Sequence, residues 1–301
     1  MTATTPQAIT EELRQWIVAQ AQAGCMPEDV VKAMVASGWR EDVAVEALEQ
    51  TLREHLQALR AGTVAVPPGQ PQAVATAGAA SPALPVPEPS LHEGATVIPA
   101  DGHPVQVLMN LRLPRVVLFG GLLTGDECDA LIALARPRLM RSETVDTATG
   151  GSEVNTARTS DGMFFERGET PLIDRIERRI AALVNWPVER GEGLQILRYR
   201  PGAQYEPHHD YFDPARPGTP RILERGGQRV GTLVMYLNTP ARGGDTIFPD
   251  AGLSIGPTRG SGVFFSYDRP HPDTRTLHGG APVLAGEKWV ATKWLRERTF
   301  S

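Results

Sequence analysis

Cysteine is nearly absent: Cys25 and Cys128 are the only two in 301 residues. They provide no disulfide framework, which fits a reducing compartment, and each reads as a small buried hydrophobe. An excess of positive charge is missing as well. The 30 Lys and Arg set against 35 Asp and Glu leave a net charge of -5, so the chain carries no electrostatic footprint for nucleic acid. No run approaches the ~20 apolar residues that a membrane span needs. Residues 1–7 lack a basic stretch followed by an apolar one, the mark of a leader. The expectation is a cytoplasmic protein with neither nucleic acid nor membrane as partner, its oligomeric state left open.

What is present is ordinary for a globular protein, 41% hydrophobic and 22% charged, and the length suggests about two domains. Residues 1–60 read as a small three-helix bundle. Ile9, Leu13, Trp16 and Ile17 recur at helical spacing, with Gly24 as a stop. A second helix opens at Pro27-Glu28-Asp29 and closes at Gly38, and a third carries Val45, Leu48, Leu52, Leu56 and Leu59. Residues 61–97 change character, with Pro67, Pro68, Pro71, Pro82, Pro85, Pro87 and Pro89 among small residues. Such a stretch buries too little to offset its ordering entropy and reads as a tether.

Residues 98–301 form the larger domain. Strands are expected at Val105–Leu108, Val116–Phe119, Leu194–Tyr199, Val230–Leu237, Asp245–Phe248, Gly262–Phe265 and Lys288–Leu295, separated by Gly and Pro turns. Thr124 and Glu127 have the spacing of a capping box, so a helix follows that buries Cys128, Leu131, Leu134 and Ala135. A second helix is capped by Thr170, has Pro171 at its first position, and presents Ile173, Ile176, Ile180, Leu183 and Val184. The polar run 142–168 and the insert 212–228 read as loops. The whole is α+β: a β-sandwich or jelly roll with buttressing helices, plus the N-terminal bundle.

Chemistry concentrates in Tyr205-Glu206-Pro207-His208-His209-Asp210-Tyr211. In an extended segment His208 and Asp210 project to one face and His209 to the other. With the distant His278 they make a 2-His-1-carboxylate set, which leaves coordination positions open and suits non-haem Fe(II). The same donors serve a catalytic zinc in a hydrolase, but zinc gives no task to Lys288, and no HExxH helix accompanies them. Lys288, ten residues beyond His278 on a strand, is a compact cation able to hold the far carboxylate of a dicarboxylic cosubstrate. Arg200 and Arg229 read as surface charges.

Tyr199, Gly202, Gln204 to His208, Asp210, Met235-Tyr236-Leu237, Gly243-Gly244-Asp245-Thr246, His278 and Gly286-Glu287-Lys288-Trp289 stand in the order found in prolyl 4-hydroxylases. Over roughly residues 105–298 the chain resembles the catalytic domain of that family. The resemblance implies a double-stranded β-helix fold and a dioxygenase using Fe(II), 2-oxoglutarate and O2, with ascorbate as reductant. It implies hydroxylation of a prolyl residue at the 4-position in a peptide or protein, with release of succinate and CO2. It places His208, Asp210 and His278 on the metal, and Lys288, Tyr199 and Thr246 on the 2-oxoglutarate carboxylate. Tyr205 and Trp294 become aromatic walls for the prolyl ring, and Arg158 a polar contact to substrate. No side chain beyond these metal, cosubstrate and substrate contacts is needed as a catalytic group. The N-terminal helices, with their Ser37-Gly38-Trp39 turn, faintly resemble ubiquitin-associated-type modules. The competing class is an inactive dioxygenase-like module that recruits protein partners. A tether rich in proline also invites the alternative of a built-in substrate.

Overall fold

The computed structural model describes residues 9–10, 13–14, 16–18, 27–37, 39–60, 84–91, 94–141, 144–145, 152–153 and 158–301. The chain divides into two compact units, Met1–Ala79 and Ala80–Ser301. In the first, helices Pro27–Ala36 and Glu41–Arg60 bring Val30, Met34, Ala44, Ala47 and Leu48 together with Ile17 in one apolar cluster. Val45, expected on the buried stripe, faces solvent instead. Gly24, Cys25, Gly38, Pro67, Pro68, Pro71 and Pro82 lie outside the described residues.

The second unit is built on a nine-stranded antiparallel sheet. Its order is Val97–Ala100, His103–Leu111, Arg115–Gly120, Gly262–Ser266, Arg229–Tyr236, Lys288–Arg296, Leu194–Tyr199, Asp161–Phe165, Met140–Arg141. A four-stranded sheet runs Leu253–Ile255, Thr246–Phe248, His278–Gly280, Tyr205–His208. All seven expected strands are present. The strand Lys288–Arg296 is buried along its entire length because both of its faces are covered. On one face, helices Gly125–Ala135 and Pro171–Val184 pack through Cys128, Leu131, Ile176, Ile180 and Leu183. On the other, Leu197, Tyr236, Phe265 and Val290 of the large sheet meet Phe248 and Ile255 of the small one, together with Val283 of the separate strand Val283–Ala285. Two sheets closed face to face in this way are a double-stranded β-helix.

Both helix starts follow their local chemistry. Thr124 Oγ1 accepts from the Glu127 N–H while the Glu127 carboxylate accepts from the Thr124 N–H, completing the box. Thr170 Oγ1 accepts from Ile173 N–H ahead of Pro171. Four details differ from expectation. Leu134 is exposed, because the sheet covers a narrower arc of its helix than the apolar residues occupy. Asp161–Phe165, inside the run read as a loop, is a strand paired with Leu194–Tyr199. Its Gly and Asp weaken the strand signal, and the neighbour supplies the ladder. Thr219–Glu224, in the second presumed loop, is a short helix.

The fourth difference concerns the tether, expected to run to residue 97. From Leu84 onward the chain is docked on the second unit. Leu84 N–H donates to Asp268 O at 2.8 Å and Glu88 N–H to Val184 O at 2.9 Å. Leu84, Val86 and Leu91 pack on the core, and Asn185 donates to both Glu88 O and Ser90 Oγ at 2.8 Å. Pro87 sits so close to Gly231 that a Cβ there would fall 2.7 Å from its ring. Proline fixes the strap in an extended shape at small entropic cost. Deleting residues 1–79 should therefore leave urea unfolding of the remainder cooperative and its midpoint almost unmoved. Deletion through residue 91 should lower stability by about 2–4 kcal/mol as the apolar surface under the strap is bared. Equal midpoints for the two truncations would show that the strap contributes nothing.

Candidate metal and cosubstrate centre

Two short strands assemble the centre. Tyr205–His208 pairs antiparallel with His278–Gly280, with His278 directly opposite His208 and Gly280 opposite Tyr205. Such a close approach needs Gly279, where a Cβ would lie 2.9 Å from Tyr205 O and 3.1 Å from Pro207 N. Opposed residues share a face, and the two imidazole centroids are 4.4 Å apart. Asp210, just past the strand end, keeps the same face. Its Oδ1 lies 3.6 Å from His208 Nε2 and its Oδ2 lies 3.5 Å from His278 Nε2. His209 turns away and stacks on Tyr211 at 4.6 Å.

Hydrogen bonding selects the useful tautomers. His208 Nδ1 is 2.8 Å from Glu206 O and His278 Nδ1 is 3.0 Å from Thr276 O, so each Nδ1 carries the proton and each Nε2 keeps its lone pair for the centre. Burial pushes His278 down to about 4 against the opposing pull of Asp210, so the ring is neutral at pH 7. Burial works to raise Asp210, yet His278, His208 and Arg229 outweigh it and hold the carboxyl well below its usual range. The three donor atoms lie within 4.8 Å of one another. Two imidazole Nε2 atoms and one carboxylate turned to a common point fit a divalent ion of the Fe(II) type with coordination positions left open.

The same cleft is lined by Lys288, Tyr199, Thr246, Tyr205, Arg158 and Trp294, so all nine expected residues meet in one place. Lys288 is buried opposite Tyr199 on the neighbouring strand. Its Nζ lies 5.7 Å from the Tyr199 ring and 5.6 Å from the Tyr236 ring, and forms no salt bridge or hydrogen bond among the described residues. Burial lowers it to about 8, opposed by the more distant Asp245. A buried ammonium lacking a counter-ion is costly, so this one fits an anionic ligand. Thr246 is oriented by Tyr236, whose hydroxyl donates to Thr246 Oγ1 at 2.7 Å.

At the mouth, Tyr205 stacks on His208 at 3.7 Å, so it steadies the ligand ring as well as forming a wall. Arg158 bridges the Tyr205 backbone, donates to Gln195 Oε1 at 2.7 Å and lies 5.0 Å over the Tyr205 ring. Trp294 is buried on the adjoining wall, and its indole N–H has no partner among the described residues.

Three supporting residues escaped the sequence reading. Thr232 Oγ1 donates to Asp210 Oδ2 at 2.7 Å and is 3.1 Å from the Tyr267 hydroxyl. Arg229, expected at the surface, is buried instead: it forks onto Glu192 at 2.7 and 2.9 Å, stands 4.0 Å from Asp210 Oδ1, and lies 4.0 Å beneath Trp294. Glu192 also takes Arg296 at 2.9 Å. A charged residue opening an otherwise apolar strand was the available signal, because burial there demands a partner.

A double-stranded β-helix that converges two histidines, an aspartate and an unpaired lysine defines a 2-oxoglutarate/Fe(II) oxygenase. The 2OG-Fe(II) oxygenase superfamily model matches residues 194–296. Prolyl 4-hydroxylase 1 of Arabidopsis thaliana is 43% identical over 206 residues, covering 62% of this chain and 71% of that protein. Prolyl 4-hydroxylase 5 of the same plant is 40% identical over 209 residues, 62% and 70% of the two chains. Among solved structures, the viral collagen prolyl hydroxylase of Paramecium Bursaria Chlorella virus-1, as its 2OG complex, aligns at 30% identity. It covers 60% of this chain and 95% of that one, with a TM-score of 0.47. The chain belongs to the prolyl 4-hydroxylase family.

Thr232→Val should lower Fe(II) affinity about 10- to 100-fold by freeing one Asp210 oxygen, without disturbing the fold. Metal titration beside near-ultraviolet circular dichroism checks this, and unchanged affinity would show that Thr232 does not hold the carboxylate.

Proposed function

We propose that this chain hydroxylates the 4-position of a prolyl residue in a peptide or protein. The observation that carries the reading is the buried, uncompensated Lys288 in the same cleft as the three ligands. A binding module has no need of that ammonium, and a zinc hydrolase gives it no work. Bound Fe(II) and 2-oxoglutarate supply the oxidising chemistry, in which O2 places one oxygen atom in the substrate C–H bond and the other in succinate as CO2 leaves. Ascorbate serves as the reductant that keeps the metal ferrous.

Each side chain then has a physical task. His208, Asp210 and His278 hold the ion through donors on one side. Lys288 neutralises the far carboxylate of 2-oxoglutarate, and the hydroxyls of Tyr199 and Thr246 satisfy its remaining lone pairs. Tyr205 and Trp294 hold the prolyl ring between aromatic faces, which remove apolar area from water without asking for an N–H that proline lacks. Arg158 donates to a carbonyl of the peptide. Together the walls keep water from the oxidising centre and the target carbon close to it.

Incubation with Fe(II), ascorbate, 2-oxoglutarate and a proline-rich peptide should release succinate and add one oxygen atom to the peptide by mass. An iron-loaded protein that consumes no 2-oxoglutarate, coupled or uncoupled, would sink the proposal. Lys288→Ala should raise the 2-oxoglutarate KM on the order of 100-fold while iron is retained.

Proton linkage gives a second check. Lys288 must be charged to pair with the carboxylate, and its value near 8 in the ligand-free cleft means the charge is lost as pH rises through that value. The bound anion raises the lysine, so binding takes up protons and affinity falls above pH 8, by up to about tenfold per unit. Calorimetry in two buffers of different ionisation enthalpy should detect the uptake. Affinity constant from pH 7 to 9 would exclude Lys288 as the anchor.

A further inference from the structure

Asp210 stands just beyond the end of the strand Tyr205–His208, where no ladder among the described residues holds its main chain. Thr232 secures its side chain, but its backbone has a different anchor. Phe212 N–H donates to Gln228 Oε1 at 2.8 Å, and Gln228 Nε2 donates back to Phe212 O at 2.8 Å. This is the two-way exchange by which one antiparallel residue pairs with another, made here by a side-chain amide in place of a strand. The orientation of the amide is fixed, because Arg229 N–H also donates to Oε1 at 3.0 Å. Gln228 is buried, and its own backbone is tied to the chain opposite, where Glu297 N–H donates to Gln228 O at 2.8 Å.

We infer that Gln228 is a positioning residue for the metal: its amide fixes the backbone at Phe212 and, through it, the direction from which Asp210 presents its carboxylate. The plainer role is to close the insert 212–228, whose two ends Gln228 joins. Three observations favour the metal. The insert has bonds of its own, from Thr219 Oγ1 to Asp213 O at 2.6 Å and from Ala215 N–H to Asp213 Oδ1 at 2.9 Å, whereas the clamp falls on Phe212, two residues from the ligand. Tyr211, between them, is stacked on His209 and stands edge-on to Tyr267 at 5.9 Å, and the Tyr267 hydroxyl is 3.1 Å from Thr232 Oγ1. The chain from Asp210 to Phe212 is thus fixed at every residue. Finally, the strand that follows Gln228 shifts register between Arg229 and Gly231, leaving Val230 as an extra residue. Such a bulge re-aims side chains, so Arg229 and Thr232, which a regular strand would point to opposite faces, both approach Asp210, at 4.0 and 2.7 Å. One irregular stretch, 228–232, therefore holds the carboxylate by main chain and side chain together. The inference rests on the three-ligand centre and is independent of the prolyl reading.

The test is Fe(II) titration of the full chain against a competing chelator, beside the visible spectrum of the Co(II)-loaded protein, whose bands follow the geometry of the donors. Gln228→Leu keeps the volume and removes both bonds. It should weaken Fe(II) binding about 10- to 100-fold and shift the Co(II) bands. Gln228→Glu keeps an acceptor for the Phe212 and Arg229 N–H groups but sets a carboxylate oxygen against Phe212 O, so it should fall between Gln228→Leu and the wild type. Thr219→Val breaks a bond inside the insert, leaves the clamp, and should match the wild type in both readings. Wild-type affinity and bands in a Gln228→Leu protein that is folded by near-ultraviolet circular dichroism overturn the proposal. An equal loss in Thr219→Val also overturns it, because the effect then belongs to the insert as a whole. Should Gln228→Leu fail to fold, Gln228→Glu decides alone, and unchanged metal binding there is the overturning result. None of these readings requires a peptide to be hydroxylated, so failure of the prolyl proposal leaves them intact.

Discussion

The centre depends on one pairing, that of Tyr205–His208 with His278–Gly280. Seventy residues of chain separate the two imidazoles, and only the antiparallel ladder puts them face to face. Because the side-chain period of a strand is two, a slip of one residue would turn His208 and Asp210 outward and bring His209 in. Register is held by the close approach at Gly279, by Tyr205 stacked on His208, and by the Nδ1 bonds that fix each ring. Thr232 then reaches Asp210 from the opposite sheet, so the metal ligands are fastened to both layers.

The strand Lys288–Arg296 shows how function can be told from packing. It buries two lysines five residues apart, hence on opposite faces. Lys293 faces the helices and is satisfied by the Glu177 carboxylate and the Glu192 carbonyl. Lys288 faces the cleft and has neither kind of partner among the described residues. The first is a structural ion pair that ties sheet to helix. The second is desolvated for a partner that must come from outside the chain. Arg229 belongs with Lys293, its charge spent on Glu192, although it stands near the metal carboxylate.

Where local pattern and tertiary environment agree, the elements could be read in advance. The capping box at Thr124, the Thr170-Pro171 start and the seven apolar strands are cases in which the residues leave few alternatives. Where they disagree, context prevailed. Asp161–Phe165 has weak strand propensity and is a strand because Leu194–Tyr199 offers it a ladder. The residues from Leu84 have the composition of a tether, yet they lie on a surface shaped for them, with Gly231 left bare beneath Pro87.

By itself the amino-acid sequence determined the chemistry: which imidazoles and which carboxylate are available, the face that alternation gives each, and the ten-residue step from His278 to Lys288. These are properties of residue identity and short-range geometry, and they survive without knowledge of the fold. Tertiary structure alone decided what each charge means. Lys288, Lys293 and Arg229 are equally basic in the chain, and only the partners brought from distant strands separate an open ligand site from a closed ion pair. Sequence cannot specify which long-range ladders will form, and those ladders bring the partners.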